Sequence, residues 1–229
     1  MRTTIALILS LALPVAAAAS GPAQSTQHVY TFAVDLGADG RLDRLEPYGT
    51  ASGTAGDALA AEIRDWVFAP DASARDGENT RTYLRVVVDE PALGGHRVVS
   101  ATTGPALATM TAPQYPMRDQ LAGKEGMVVL RLQVSADGSV RDADIHAATG
   151  GVTRAMAGAA ATASRQWRFA PEQVAGQPVA STLLWPVCYL GPKSAPSTCN
   201  WTGPDDQRFS SKTVLPLDPK VTVSYAAAD

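Results

Sequence analysis

Two stretches of this sequence repeat one pattern, and this internal repeat constrains the fold more than any other feature. When Asp39-Gly40 is aligned with Asp137-Gly138, alternating apolar residues precede the dipeptide in both stretches. The aligned positions are Tyr30, Phe32, Val34 and Leu36 in the first stretch and Val128, Leu130, Leu132 and Val134 in the second. A period of two is typical of a strand with one buried face, and Asp-Gly favours a hairpin turn. Each stretch therefore begins with a predicted β-hairpin.

A predicted helix and a further strand follow each hairpin. Both helices have one apolar stripe at helical spacing, on Leu59, Ile63 and Trp66 in the first and on Met156, Ala160, Ala163 and Trp167 in the second. Both end in Trp-x-Phe-Ala-Pro, whose proline stops a helix. The third strands are predicted over 82–88 and 181–189. The sequence thus predicts an α+β fold of two tandem ββαβ units, each a small antiparallel three-stranded sheet packed on helices.

The start of the chain has the features of a secretory signal. Arg2 precedes an apolar run over 5–15, and the small residues at 16–19 form an Ala-x-Ala cleavage site. A helix that spans a bilayer needs roughly 20 apolar residues, and Pro14 interrupts this run. We therefore predict an exported protein that is cleaved before Ser20. The alternative is an uncleaved segment that anchors the chain in a membrane.

Charge and motifs argue against several classes of function. The chain has 19 basic and 22 acidic residues, without the basic surplus typical of nucleic-acid binding. It contains no Gly-x-Ser-x-Gly motif, phosphate-binding loop or Cys–His pair. The three histidines, His28, His96 and His146, lack the spacing of a metal site. We expect no catalytic residues, no metal and no cofactor.

The two cysteines, Cys188 and Cys199, are predicted to form a disulfide, because an exported protein folds in an oxidising compartment. A metal or redox pair would need closer spacing and neighbouring His or Cys. Among the tryptophans, Trp66 and Trp167 are predicted to pack in the core, since they lie on apolar helix stripes. For Trp185 and Trp201, both core packing and an exposed binding surface remain open.

The second stretch also contains an ordered series of short motifs. Tyr115-Pro116 precedes it, Gly126 opens its first strand, and Trp185-Pro186-Val187 lies in its last. The full set is Tyr115, Pro116, Gly126, Asp137, Gly138, Trp167, Phe169, Pro171 and Gly176, followed by that final tripeptide. In this order the motifs resemble the C-terminal domain of the TonB energy-transducer family, over about a third of the chain. The first stretch resembles a degenerate member without the Tyr-Pro prefix.

The resemblance implies binding of a protein or peptide, such as an extended segment of an outer-membrane receptor, in the periplasm of a Gram-negative cell. In that family the segment adds to the sheet beside its last strand, by β-augmentation. The corresponding edge residues here are Thr182, Leu183, Leu184, Trp185, Pro186 and Val187. Pro186 agrees with an edge position, because proline is confined to edge strands and bulges.

The predicted organisation is a signal peptide at 1–19, a degenerate TonB-like repeat at 28–90, a linker at 91–112, a TonB C-terminal-like domain at 113–189 and a tail at 190–229. The tail holds the disulfide loop and a predicted strand at Val221–Tyr225, which could pair with Ser181–Tyr189 and occupy the edge. The leading functional hypothesis is a soluble periplasmic interaction module. The alternatives are an atypical membrane-anchored transducer and a self-capped structural scaffold.

Overall fold

The computed structural model describes residues 25–49, 51–71, 79–91, 95–194 and 199–225. The predicted signal peptide lies outside these residues. In these ranges strands predominate and three α-helices accompany them, which confirms the α+β class. None of the helices in the described ranges is long and apolar enough to cross a membrane.

The first half of the chain forms a sheet backed by one helix. Its elements are β1 (Ser25–Leu36), β2 (Leu42–Tyr48), α1 (Thr54–Ile63), β3 (Val67–Pro70) and β4 (Thr80–Pro91). β1 lies between β2 and β4 and is antiparallel to both. Alternate residues of β1 and β4, such as Phe32 and Leu84, are buried against Leu59 and Ile63 of α1. The apolar faces of the strands, with a period of two, and of the helix, with a period of about 3.6, thus pack together in one core.

The segment 91–112, expected as a linker, contains two strands. β5 (Arg97–Gly104) pairs with β4 and extends the first sheet. β6 (Ala106–Thr109) pairs with a short strand of the second half, β9 below. The segment therefore belongs to both halves of the fold.

The second half shares the strand–strand–helix–strand order of the first but has an additional helix before it and two additional short strands before its last strand. After α2 (Met117–Leu121) come β7 (Gly126–Val134), β8 (Val140–Gly150), α3 (Arg154–Ser164), β9 (Arg168–Ala170), β10 (Gln173–Val174), β11 (Gln177–Pro178) and β12 (Ser181–Tyr189). β7 lies between β8 and β12, and both pairings are antiparallel. β10 instead pairs with β4, so β10 and β11 belong to the first sheet. The prediction of two separate three-stranded sheets is therefore wrong. Leu130, Leu132 and Leu183 pack with Met156 of α3 and with Trp167, which is fully buried as predicted.

The described residues of the tail form four further strands. They are β13 (Asn200–Thr202), β14 (Arg208–Ser210), β15 (Leu215–Pro216) and β16 (Val221–Ser224). β13 and β14 form a hairpin, and β15 pairs with β12.

The strand predicted at the end of the tail exists, but the partner suggested for it is wrong. β16 pairs with β3 and not with Ser181–Tyr189. Val221 is fully buried in the first core, and the Tyr225 ring stacks on Trp66 with ring centroids 4.7 Å apart. The alternating apolar residues of β16 therefore complete the core that α1 and β4 leave open beside β3.

Candidate protein-interaction site

The backbone of β12 presents one row of polar groups away from β7. At Thr182 the carbonyl accepts a 2.8 Å hydrogen bond from Leu217 N–H, and the N–H donates a 2.7 Å bond to Asp218 Oδ1. Alternate residues of an antiparallel strand direct their backbone groups to the same side. Leu184, Pro186 and Cys188 therefore also face outward. The missing N–H of Pro186 falls on that outer side, where it removes no hydrogen bond to β7.

The tail occupies part of this outer edge. β15 is antiparallel to β12, with Leu215 opposite Leu184 and Pro216 opposite Leu183. The two hydrogen bonds at Thr182 continue the pairing by one residue. Within the described residues, the strand pairing on this side stops at Leu184. The tail thus covers the first half of the predicted edge and leaves the second half without a paired strand.

The side chains of the predicted edge residues are mostly inside the protein. Thr182 is half-buried, and the other five are buried. Trp185 makes edge-to-face contacts with Trp167 and Phe169, with ring centroids 5.3 and 5.7 Å apart. Trp185 is therefore a core residue, and the predicted edge residues themselves contribute backbone groups to recognition, not exposed side chains.

The opposite face of the second sheet is covered by the β13–β14 hairpin. Trp201 is buried and packs with Phe209 over Met127, Val129 and Leu184. The predicted disulfide between Cys188 and Cys199 is confirmed, and it attaches this hairpin to β12 itself. Of the two possibilities for Trp201, core packing is correct. The second sheet therefore has helix α3 on one face and the β13–β14 hairpin on the other.

Arg85 of β4 holds the tail from the side of the first sheet. Its Nε and Nη2 donate bonds of 3.1 and 3.0 Å to the carbonyl of Lys212. The guanidinium also lies over the Trp185 ring, 5.6 Å from the centroid. Burial lowers the pKa of Arg85 to about 10, so the group remains charged at neutral pH. The charge-assisted bonds and the ring contact fix the chain just before β15.

A buried carboxylate joins the two sheets and the tail. Glu172 Oε1 accepts hydrogen bonds from Thr82 Oγ1 of β4 at 2.7 Å and from Lys220 N–H at 3.3 Å. Oε2 lies 3.4 Å from Ser181 Oγ at the start of β12. Burial raises the pKa of Glu172. Sequence reasoning missed this residue, although an acidic residue follows Phe-Ala-Pro in both stretches, as Asp71 and Glu172.

Tyr115 of the family motif holds the segment that precedes β7 against β12. The Tyr115 hydroxyl donates to the Lys124 carbonyl, and its ring meets Tyr189 edge to face at 5.1 Å. Tyr189 donates a 2.9 Å bond to the Met156 carbonyl, and burial raises its pKa to about 12. Pro116 immediately precedes α2.

The remaining motif residues shape turns. A Cβ on Gly126 would lie 2.1 Å from the Thr149 oxygen, so the side chain must be absent there. The Asp137 carboxylate accepts bonds from Ser139 N–H and Oγ in the β7–β8 turn, and these lower its pKa. Pro171 follows β9, and Gly176 lies in the β10–β11 turn with φ of 73°. No cluster of three or more metal-ligand side chains occurs in the part of the chain that the structure describes.

Comparison with known families identifies the second unit. Residues 111–190 match the family model described as Gram-negative bacterial TonB protein C-terminal. Neither the comparison with curated proteins nor that with solved structures found a match. The matched range contains α2, β7, β8, α3 and the whole of β12, and the family consists of non-enzymatic protein-interaction domains. Residues 111–190 of this chain are therefore a domain of the TonB C-terminal family.

Proposed function

We propose that this protein is a periplasmic interaction module that binds an extended protein segment at the outer edge of β12, in a process linked to outer-membrane receptors. The observation that carries the proposal is that this edge already holds an extended segment, the chain's own β15. An edge that pairs with one strand offers the same backbone groups to another. A partner segment would bind by replacing β15.

The strand pairing that a partner would replace is short, and the remaining contacts of the tail come from Arg85 and from the side chains of Val214 and Leu215. β15 pairs with β12 through two residues, and the two hydrogen bonds at Thr182 extend the contact. Each hydrogen bond contributes a net ~0.5–1.5 kcal/mol, more where a carboxylate takes part. A longer segment would also reach the outward backbone groups of Pro186 and Cys188. It would thereby gain bonds that β15 does not make.

The test uses the full chain and a variant with a weakened tail, Asp218→Ala. Both are measured against an array of peptides from the N-terminal segments of outer-membrane receptors, with scrambled peptides as the reference. Asp144→Ala is the matched control, because Asp144 is an exposed carboxylate on β8, away from the tail. We expect Asp218→Ala to bind selected peptides about tenfold more tightly than the wild type, since one charge-assisted bond of the competing tail is gone. If no peptide binds either protein above its scrambled form, the proposal is wrong.

The self-capped scaffold is the second candidate, and the extent of the tail favours it. The hairpin covers one face of the second sheet, β15 covers part of its edge, and β16 completes the first core. Amide hydrogen exchange at Thr182 and Leu184 separates the two functions. A partner-binding edge should open locally and exchange faster than β7, whereas a permanent cap should exchange only on global unfolding.

A further inference from the structure

The tail reveals which side chains the β12 edge selects. We infer that the partner is an extended segment of the pattern apolar–apolar–Pro–any–Asp, the pattern that Val214 to Asp218 present to this edge. The inference rests on the proposed function and adds the chemistry of the ligand. Each position of the pattern has its own structural reason.

The two apolar positions fill opposite faces of the sheet. Val214 is 5% exposed and packs in the core beneath α3. Leu215 packs on the other face, in the cluster of Met127 and Val129 that Trp201 covers. Consecutive residues of an extended strand point to opposite faces, so one segment fills both sites. A polar residue at Val214 would be buried without a partner, and one at Leu215 would lose the apolar contacts of a partly buried site.

The third position suits proline for two reasons. Pro216 lies opposite Leu183, whose backbone groups point toward β7, so this pair needs no N–H from the added strand. The ring lies against Gly104, where a Cβ would come within 2.7 Å of Pro216 Cγ. Because Gly104 has no side chain, it leaves a space that the pyrrolidine ring of Pro216 fills. Proline also lowers the entropy lost when an extended segment binds.

The last position requires an acidic side chain. Asp218 Oδ1 accepts the Thr182 N–H at 2.7 Å and takes the place that a backbone carbonyl of the added strand would hold. Asp218 and Thr182 share the lining of a cavity of about 150 Å³ with Arg141, whose positive charge favours a carboxylate there. Leu217, which lies between Pro216 and Asp218 in the sequence, is 40% exposed, so its side chain adds little selectivity.

The probe is a synthetic peptide of residues 212–220, Lys-Thr-Val-Leu-Pro-Leu-Asp-Pro-Lys. It is titrated into the full chain with its own tail weakened, as Leu215→Asp/Asp218→Ala and, in case that variant folds poorly, as Asp218→Ala alone. We expect binding that falls about tenfold when the peptide's Asp becomes Asn, because the amide oxygen can still accept the Thr182 N–H but the bond loses its charge assistance. Replacement of the second Leu by Ser should change the affinity by no more than about twofold, as expected for an exposed side chain.

Gly104 provides an independent measurement. With Gly104→Ala added to the weakened-tail protein, the filled slot should remove the preference for the peptide with Pro over the same peptide with Ala. If receptor peptides bind but the Asn and Ala peptides bind as tightly as the parent, the pattern is wrong and the augmentation proposal stands. If no peptide of any sequence binds, the proposed function itself is overturned.

Discussion

Thr82 Oγ1 donates a 2.7 Å hydrogen bond to the fully buried carboxylate of Glu172, and this bond joins β4 of the first sheet to the segment that leads into β12. The same carboxylate oxygen accepts the Lys220 N–H, two residues after Asp218 of the tail. One side chain therefore contacts both units and the segment on the candidate edge. The protonation state of Glu172 therefore affects how tightly the first unit, the second unit and the tail are held together.

The stability of the protein should fall as Glu172 ionises. Burial raises its pKa in the folded state, so the folded protein holds this proton more tightly than the unfolded chain does. The stabilising contribution is complete below the ordinary carboxyl pKa and is lost as pH rises through the raised pKa. Melting temperatures measured against pH should therefore show the wild type losing stability relative to Glu172→Gln across that range.

Glu172→Ala serves as the comparison, because it removes the acceptor at every pH. It should lower the free energy of unfolding by about 1–3 kcal/mol, since Thr82 and Lys220 lose a buried partner. If the melting temperatures of the wild type and of Glu172→Gln changed in parallel with pH, the raised pKa of Glu172 would be contradicted.

Loss of the Cys188–Cys199 disulfide should loosen the β13–β14 hairpin. In the chain-entropy model a loop of this size contributes about 3 kcal/mol, and the double variant Cys188→Ser/Cys199→Ser should be less stable by that amount. Exposure of Met127 and Val129 beneath the hairpin should increase binding of a hydrophobic dye. The variant should not respond to reductant, whereas the reduced wild type should behave like the variant. An unchanged urea midpoint after reduction would argue against this role.

The two Asp-Gly turns should differ in their tolerance of a side chain. Gly40 and Gly138 both have left-handed backbones, with φ of 77° and 80°. A Cβ on Gly138 would lie 2.0 Å from the Phe169 oxygen, whereas on Gly40 its nearest neighbour is Pro70 Cδ at 3.1 Å. Gly40→Ala should cost about 1–2 kcal/mol for the backbone alone, and Gly138→Ala about 3 kcal/mol or more. Urea denaturation of the two variants tests this, and equal losses would refute the steric difference.

The N-terminal segment should be removed on export. Expression in a Gram-negative host should give a protein that begins at Ser20 by intact mass and is released with the periplasmic fraction by osmotic shock. Uncleaved protein that sediments with the membranes would instead favour the anchored transducer.

Local patterns in the sequence predicted the elements well, and partners distant in sequence poorly. The period of two before Asp137-Gly138 and the helical stripe after it have local physical causes, and the structure contains the corresponding strands and helix. The predicted helix ends are wrong, because α1 stops at Ile63 and α3 at Ser164, and both Phe-Ala segments that follow are strands. The pairing of β16 with β3 depends on which edge remains uncovered after both cores form, and no local pattern encodes that. Glu172 was missed for the same reason, because two of its three hydrogen-bond donors, Thr82 and Lys220, come from segments distant in sequence.

The candidate edge was predicted from the family resemblance and from Pro186. The segment that covers part of this edge was not predicted. Proline in the last strand indicated an outward backbone position but carried no information on β15, a strand of two residues. The burial of Trp185 also depends on Arg85 from the other sheet, which only the assembled fold brings near.

The pairing of β16 with β3 has a consequence for when this protein can fold. Thr222 Oγ1 bonds the Ala69 carbonyl across 153 residues of sequence, so the first core stays incomplete until nearly the whole chain is available. Contacts of such high sequence separation slow folding. If the chain is exported as proposed, a first core that closes only with β16 would keep the chain unfolded during translocation and complete that core last.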